Sequence, residues 1–172
     1  MKKTLAIFCF VYLIALTGKS QTTAPHNIEE QIKRLSLELP GTPPSIQLIK
    51  FAQTLIGIPY RYASSNPDKG FDCSGFVRYV FDNFGFTTPR SSGEYVKAGK
   101  PVSLANAKVG DVLIFTGSNP KIRKVGHVGI VYAVDGDQIK FIHSSSGKAK
   151  GVTITEMNAY YKNRFLKAVS II

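Results

Sequence analysis

The chain has 172 residues, 22 Lys+Arg against 11 Asp+Glu, and a formal net charge of +11. That length suits one domain with short additions, and an apolar share of 44% with 19% charged residues excludes a disordered or collagen-like chain. Two cysteines are too few for a disulfide framework, and a chain of this size buries enough core not to need one.

The start of the chain reads as a removable export signal, residues 1–20. Lys2 and Lys3 are positive, Leu5 to Leu16 carries no charge, and Gly18-Lys19-Ser20 places small residues ahead of a cut before Gln21. The apolar run is shorter than the roughly 20 residues of a crossing helix, so no stable membrane anchor is expected. Cys9 lies inside the run after bulky Phe8, which does not fit lipid attachment. Cleavage would leave Cys73 as the only cysteine and lower the net charge to +8, because Lys2, Lys3 and Lys19 leave with no acid. Residues 121–172 carry nine Lys+Arg and three Asp+Glu. Outside the cytoplasm, in periplasm, envelope or medium, such a surface points to anionic envelope polymers or acidic peptides rather than nucleic acid. Simple solubility is the alternative.

Residues 21–43 form an N-terminal extension. Ile28, Ile32, Leu35 and Leu39 recur at helical spacing and predict a short helix over 28–39. Pro40-Gly41-Thr42-Pro43-Pro44 stops it. Ser45 opens a second helix with Leu48, Ile49, Ala52, Leu55 and Ile56 inward, ended by Gly57 and Pro59. Residues 60–71 read as a loop. From Asp72 to Phe84, the residues Cys73, Phe76, Val77, Val80, Phe81 and Phe84 mark one buried helical face, with Asp72 suited to the N-cap and Gly85 to the C-terminal turn. A basic loop around Arg90 and a short helix near Glu94 follow. Strands are predicted at Asp111–Thr116, His127–Val134, Gln138–Ser144, Val152–Thr155 and Phe165–Ile171. Helices first and an antiparallel meander afterwards give an α+β fold, with N-terminal helices packed on a central sheet of about five strands.

Cys73 falls in the first turn of the strongest helix, where free N–H groups and the helix dipole favour a thiolate and could stabilise an oxyanion. A buried structural cysteine explains the position equally well. His26 lies in the N-terminal extension, whereas His127 and His143 stand on successive strands. A three-residue loop, Val134-Asp135-Gly136, would pair Ala133 with Asp137 and therefore His127 with His143 on one face. A two-residue Asp-Gly loop would put the rings on opposite faces. Together the three residues suit a cysteine-hydrolase constellation, His127 as base and His143 orienting it. From spacing alone, two half-exposed strand histidines account for the pattern about as well. A zinc site of Cys73, His127 and His143 matches by ligand type but has no familiar short spacing.

Six local patterns raise the first reading. They are Gly57-Ile58-Pro59-Tyr60, Phe71-Asp72-Cys73-Ser74-Gly75-Phe76-Val77, Pro89-Arg90-Ser91-Ser92, Gly110-Asp111-Val112-Leu113-Ile114-Phe115, Gly126-His127-Val128-Gly129-Ile130 and Phe141-Ile142-His143-Ser144. In type and order, over about residues 45–171, they resemble the NlpC-type cell-wall cysteine peptidases, a papain-like family. The resemblance implies a catalytic domain over 44–172, with Cys73 as nucleophile, His127 as base and His143 as third polar residue. It implies substrate contacts at Tyr60, Asp72, Ser74 and Arg90, with Asp72 and Ser74 holding the free amine of an L-Ala-γ-D-Glu stem. The implied reaction is hydrolysis of peptidoglycan stem peptides or muropeptides, at the bond from γ-D-glutamate to diaminopimelate or lysine, by a monomer without cofactor or metal. Two departures bear on bond preference. Ala63-Ser64 replaces a frequent Gly-Gly, and Tyr95 replaces a frequent Gln, both at positions lining the cleft in relatives. A silent envelope-binding module and a thiol acyl transferase are the alternatives on the same fold.

Overall fold

The computed structural model describes residues 41–172, so the predicted signal and the helix expected over 28–39 lie outside the described residues. Helix α1 (Pro44–Thr54) begins one residue before Ser45, with Pro44 at a first-turn position whose N–H has no helical partner to lose. Leu48, Ile49, Phe51 and Ala52 are buried along it. Ile56 was expected inward but is exposed. It follows the helix end, and Gly57 at φ +89° turns the chain away. The expected loop over 60–71 contains two short antiparallel strands, β1 (Ser65–Asn66) and β2 (Gly70–Phe71).

Helix α2 (Cys73–Asp82) starts where the sequence places it. Asp72 is the N-cap, and its Oδ1 accepts the Gly75 N–H at 2.6 Å. The Asp72 N–H donates to the Ser64 carbonyl (2.9 Å), and the buried Ser144 hydroxyl donates to the Phe71 carbonyl (2.7 Å). These bonds fix the first turn against the loop on one side and the sheet on the other. A Cβ at Gly75 would collide with the Ser64 carbonyl, which explains the glycine in Cys-Ser-Gly. A 3-10 turn at Ser92–Lys97 follows, opened by a reciprocal Ser91–Glu94 capping box.

The remaining strands are β3 (Lys100–Val102), β4 (Val112–Thr116), β5 (Val125–Asp135), β6 (Gln138–Ser145), β7 (Gly151–Glu156) and β8 (Phe165–Ser170). They form one antiparallel sheet in the order β3-β8-β4-β5-β6-β7. The sheet therefore has six strands rather than five. The extra one, β3, lies at the edge and contains Pro101, so three residues interrupted by a missing donor gave no readable strand pattern. Helix α3 (Ala159–Arg164) between β7 and β8 is also additional. One sheet face packs Val128, Ile130 and Ile142 against Phe76, Val77 and Val80 of α2. The other packs Leu113, Phe115, Val131 and Phe141 with Met157, Tyr161 and Phe165.

The β5–β6 hairpin corrects the predicted register. Asp135 pairs with Gln138, so the turn is the two residues Gly136-Asp137, with Gly136 at φ +54°. That register alone would separate the histidines onto opposite faces. A bulge between Val131 and Ala133 shifts it by one residue, after which Val131 faces Phe141 and Ile130 faces Ile142. The shift returns His127 and His143 to one face, as diagonal neighbours two residues out of register. The bulged residue, Tyr132, accepts a hydrogen bond from Gln53 Nε2 of α1 at 2.7 Å.

Candidate active site

Cys73 is the only free cysteine among the described residues and is 9% exposed. Burial raises its pKa above the ordinary thiol value, and the negative charge of Asp72 adds to the rise. The N–H groups of Val128, Ser74 and Cys73 itself point at the sulfur and oppose the rise without cancelling it. This corrects the expectation of a resting thiolate: desolvation outweighs the helix N-terminus.

Nε2 of His127 lies 2.8 Å from Nδ1 of His143, and Nε2 of His143 lies 2.9 Å from Oγ1 of Thr155 on β7. The two rings meet edge to face with centroids 4.9 Å apart. Gly129 occupies the position opposite His143, where a Cβ would come within 3.0 Å of the His143 Cβ and 2.8 Å of the Phe141 ring. A glycine there gives the His143 ring its space. His143 is buried, and His127 is half-buried with an opening to a cavity. Burial holds the His127 pKa well below 6.5, helped by His143 and by the charge of Arg164. Burial and Arg164 push His143 down to about 4. Both rings are therefore neutral near pH 7. If Thr155 accepts from His143 Nε2–H, His143 Nδ1 accepts from His127 Nε2–H, and His127 Nδ1 keeps a lone pair. The opposite proton order puts a hydrogen on His127 Nδ1 and leaves no lone pair there.

Two cavities of about 410 Å³ each meet at Tyr60, Cys73 and Gly126. The first is lined also by Asp72, Ser74 and Arg90, so it gathers every substrate-contact candidate from the sequence. There Arg90 grips Asp72 through both oxygens, at 3.0 and 2.7 Å, and reaches the Ser74 hydroxyl at 3.3 Å. The Ser74 hydroxyl also donates to Asp72 Oδ1 at 3.2 Å. Asp72 Oδ1 thus receives three donors and Oδ2 one. Burial, with the charges of Cys73 and Asp72, raises the Tyr60 pKa, so its phenol remains a donor. Ala63 lines the same cavity at φ +57°, a conformation that favours the glycine it replaces. Tyr95 does not line the cleft: it is fully buried in the core beneath α2. A large ring at this position finds its volume in the core, which the motif comparison could not reveal.

The second cavity takes His127, with Lys148 and Arg164 among its walls. Thr155, Lys148 and Arg164 carried no sequence signal, since each belongs to a segment without a motif. Among the described residues no cluster of three or more His, Cys, Asp or Glu is set to hold a metal ion, and no helix is long and apolar enough to cross a membrane.

Helices ahead of an antiparallel sheet, with a cysteine at a helix start, one histidine in its cleft and a second buried behind the first, define a papain-like α+β domain. The chain belongs to the NlpC/P60 family, whose pattern matches residues 57–170. It is 37% identical over 121 residues to the gamma-DL-glutamyl hydrolase of Bacillus subtilis, covering 69% of this chain and 27% of that one. It is 39% identical over 115 residues to the murein DD-endopeptidase MepS/murein LD-carboxypeptidase of Escherichia coli K12, covering 65% and 55%. The crystal structure of an NlpC/P60 family protein from Bacillus cereus superposes with a TM-score of 0.65 at 31% identity, covering 76% of this chain and 41% of that one. The chain thus spans about a quarter to a half of the length of these curated relatives.

Proposed function

We propose that this protein is an exported cysteine endopeptidase of the cell envelope that hydrolyses peptidoglycan stem peptides at the γ-D-glutamyl bond to diaminopimelate or lysine. The observation that carries the reading is one cleft shared by Cys73 and His127, with the buried His143 hydrogen-bonded to the far nitrogen of His127. The relatives are named for hydrolysis of γ-DL-glutamyl and murein bonds, which supports the substrate class.

The chemistry follows from the protonation states. Neutral thiol and neutral imidazole are the resting forms, so the proton moves from Sγ to His127 Nδ1 as sulfur attacks the γ-carbonyl carbon. His143 keeps the opposite nitrogen engaged and stabilises the imidazolium. Backbone N–H groups at the start of α2 are the available donors for the oxyanion. Collapse breaks the C–N bond, His127 returns the proton to the leaving amine, and a Cys73 thioester remains. Water then attacks with His127 again as base, releasing the acid and the thiol.

Tyr60, Asp72, Ser74 and Arg90 hold the acyl side of the substrate. Oδ2 of Asp72, with one donor, has capacity for the ammonium of a free L-Ala residue. Digestion of purified muropeptides, with fragments identified by mass spectrometry, tests the reading. Products ending in γ-D-glutamate are expected from the wild type and none from Cys73→Ala. Intact muropeptides after prolonged digestion with folded wild type would instead make this a binding module.

A further inference from the structure

We propose that the second half of the cleft is an anion subsite, in which Arg164 and Lys148 take a carboxylate of the fragment that leaves after cleavage. The proposal rests on the hydrolase reading for its side of the substrate, because His127 lines only this cavity. The amine that receives the His127 proton must depart here, and its fragment brings a carboxylate, either the α-carboxylate of a terminal residue or the side-chain carboxylate of diaminopimelate.

Arg164 is more than nine-tenths buried. Its Nε donates to the Gly117 carbonyl (2.9 Å), its Nη2 to the Thr116 carbonyl (2.8 Å) and its Nη1 to the Tyr160 hydroxyl (2.9 Å). All three acceptors are uncharged, and a guanidinium has five N–H groups, so two remain. The Tyr160 and Tyr161 rings lie 4.9 and 5.4 Å away and add no negative charge. Among the described residues no carboxylate pairs with this cation. The cavity wall contains no Asp or Glu, and the exposed Lys148 adds a second positive charge. A buried cation without a counter-ion is costly, and an entering carboxylate supplies the missing charge. A brace between α3 and the end of β4 would explain the three bonds, but it does not need the unpaired N–H groups, the acid-free wall or Lys148. A cavity of about 410 Å³ accommodates an amino acid or a short peptide.

The test compares L-Ala-γ-D-Glu-L-Lys with its C-terminal carboxamide. Wild type should cleave the acid with kcat/KM about tenfold or more above the amide, the scale of a charge-assisted hydrogen bond. Arg164→Gln should bring the two to parity. Lys148→Glu, on an exposed loop that carries no fold burden, should lower kcat/KM for the acid and spare the amide. Equal cleavage of acid and amide by wild type, or an acid preference untouched by both variants, overturns the subsite. Calorimetric binding of both peptides to Cys73→Ala separates this failure from that of the hydrolase reading. Tighter binding of the acid without any turnover by wild type sustains the subsite and sinks the hydrolase, whereas equal binding sinks the subsite.

Discussion

On one side of Cys73, Arg90 meets Asp72 through two bonds and the charges cancel within the wall. On the other side, Arg164 is more deeply buried and meets two carbonyls and a phenol. The first half is a finished ion pair with one acceptor to spare, and the second carries excess positive charge beside a neutral histidine pair. The contrast teaches that one cleft can be selective at both ends by different means. In the balanced wall a paired carboxylate keeps one oxygen open to a further donor, and in the unbalanced wall the cation itself is left to attract by sign of charge. Arg164 also adds to the low basicity that burial gives both histidines.

Cys73 lines both halves, so its removal should abolish turnover on every substrate while leaving both walls intact. Cys73→Ala should show no product by chromatography, with circular dichroism and peptide binding unchanged. Residual wild-type turnover in this variant would place the chemistry elsewhere.

His127 belongs to the cationic half alone. Its replacement by alanine should cost about 10²–10⁴-fold in kcat, the usual range for a general acid–base group. His143→Ala should cost less, because that ring orients rather than transfers protons to the substrate. Equal losses, or a larger loss at His143, would reverse the assigned roles.

The cationic half should also be the acid-sensitive one. An unfolded histidine titrates near 6.5, and His143 in the fold is pushed down to about 4, so the unfolded state binds the proton first. The stabilisation is complete above pH 6.5 and is lost as pH falls toward 4, amounting to about 3 kcal/mol at most for this ring. Urea melts across that window should show the decline, and His143→Asn should make it shallower, with His127, also held well below 6.5 by burial, accounting for the rest. An equally steep decline in His143→Asn would assign acid sensitivity to other groups.

The balanced half is tested by Asp72→Asn, which keeps an acceptor for the Gly75 N–H and removes the charge. Wild type should prefer stems with a free L-Ala amine over amide-capped stems by about tenfold, and the variant should lose that preference. Retention of the preference would leave Asp72 as a helix cap and partner of Arg90 only.

The smallest effect is expected at Thr155. Thr155→Val removes the hydroxyl beside His143 and should lower kcat about three- to tenfold with little change in KM, while Thr155→Ser restores it. A pH profile distinguishes this from a packing defect: loss of the tautomer anchor moves the acid limb, whereas a packing defect lowers the whole curve.

Much of the fold was legible because its signals are local. The buried face of α2, the Asp72 cap and the strands from Val112 onward depend on residues close in sequence. The edge strand with Pro101 and the six-residue helix Ala159–Arg164 escaped because each is too short to show a period. Of the site, Cys73 and the two histidines could be read from their motifs, whereas the strand spacing gave the wrong turn and register for the pair. Arg164 could not, since its meaning lies in carbonyls of Thr116 and Gly117, far away in the chain.

The sequence by itself determined the helix start at Cys73 and the order of helices before strands. Tertiary structure decided the rest of the site. The turn at Gly136-Asp137 alone would have parted His127 from His143, and the bulge at Tyr132, tied to Gln53 of α1, brought them back to one face. Burial overruled the helix dipole at Cys73 and left a thiol where local reasoning expects a thiolate. Side-chain alternation and helix capping are nearest-neighbour effects and can be read along the chain. Register shifts, desolvation and an unpaired buried charge are sums over residues that only folding brings together.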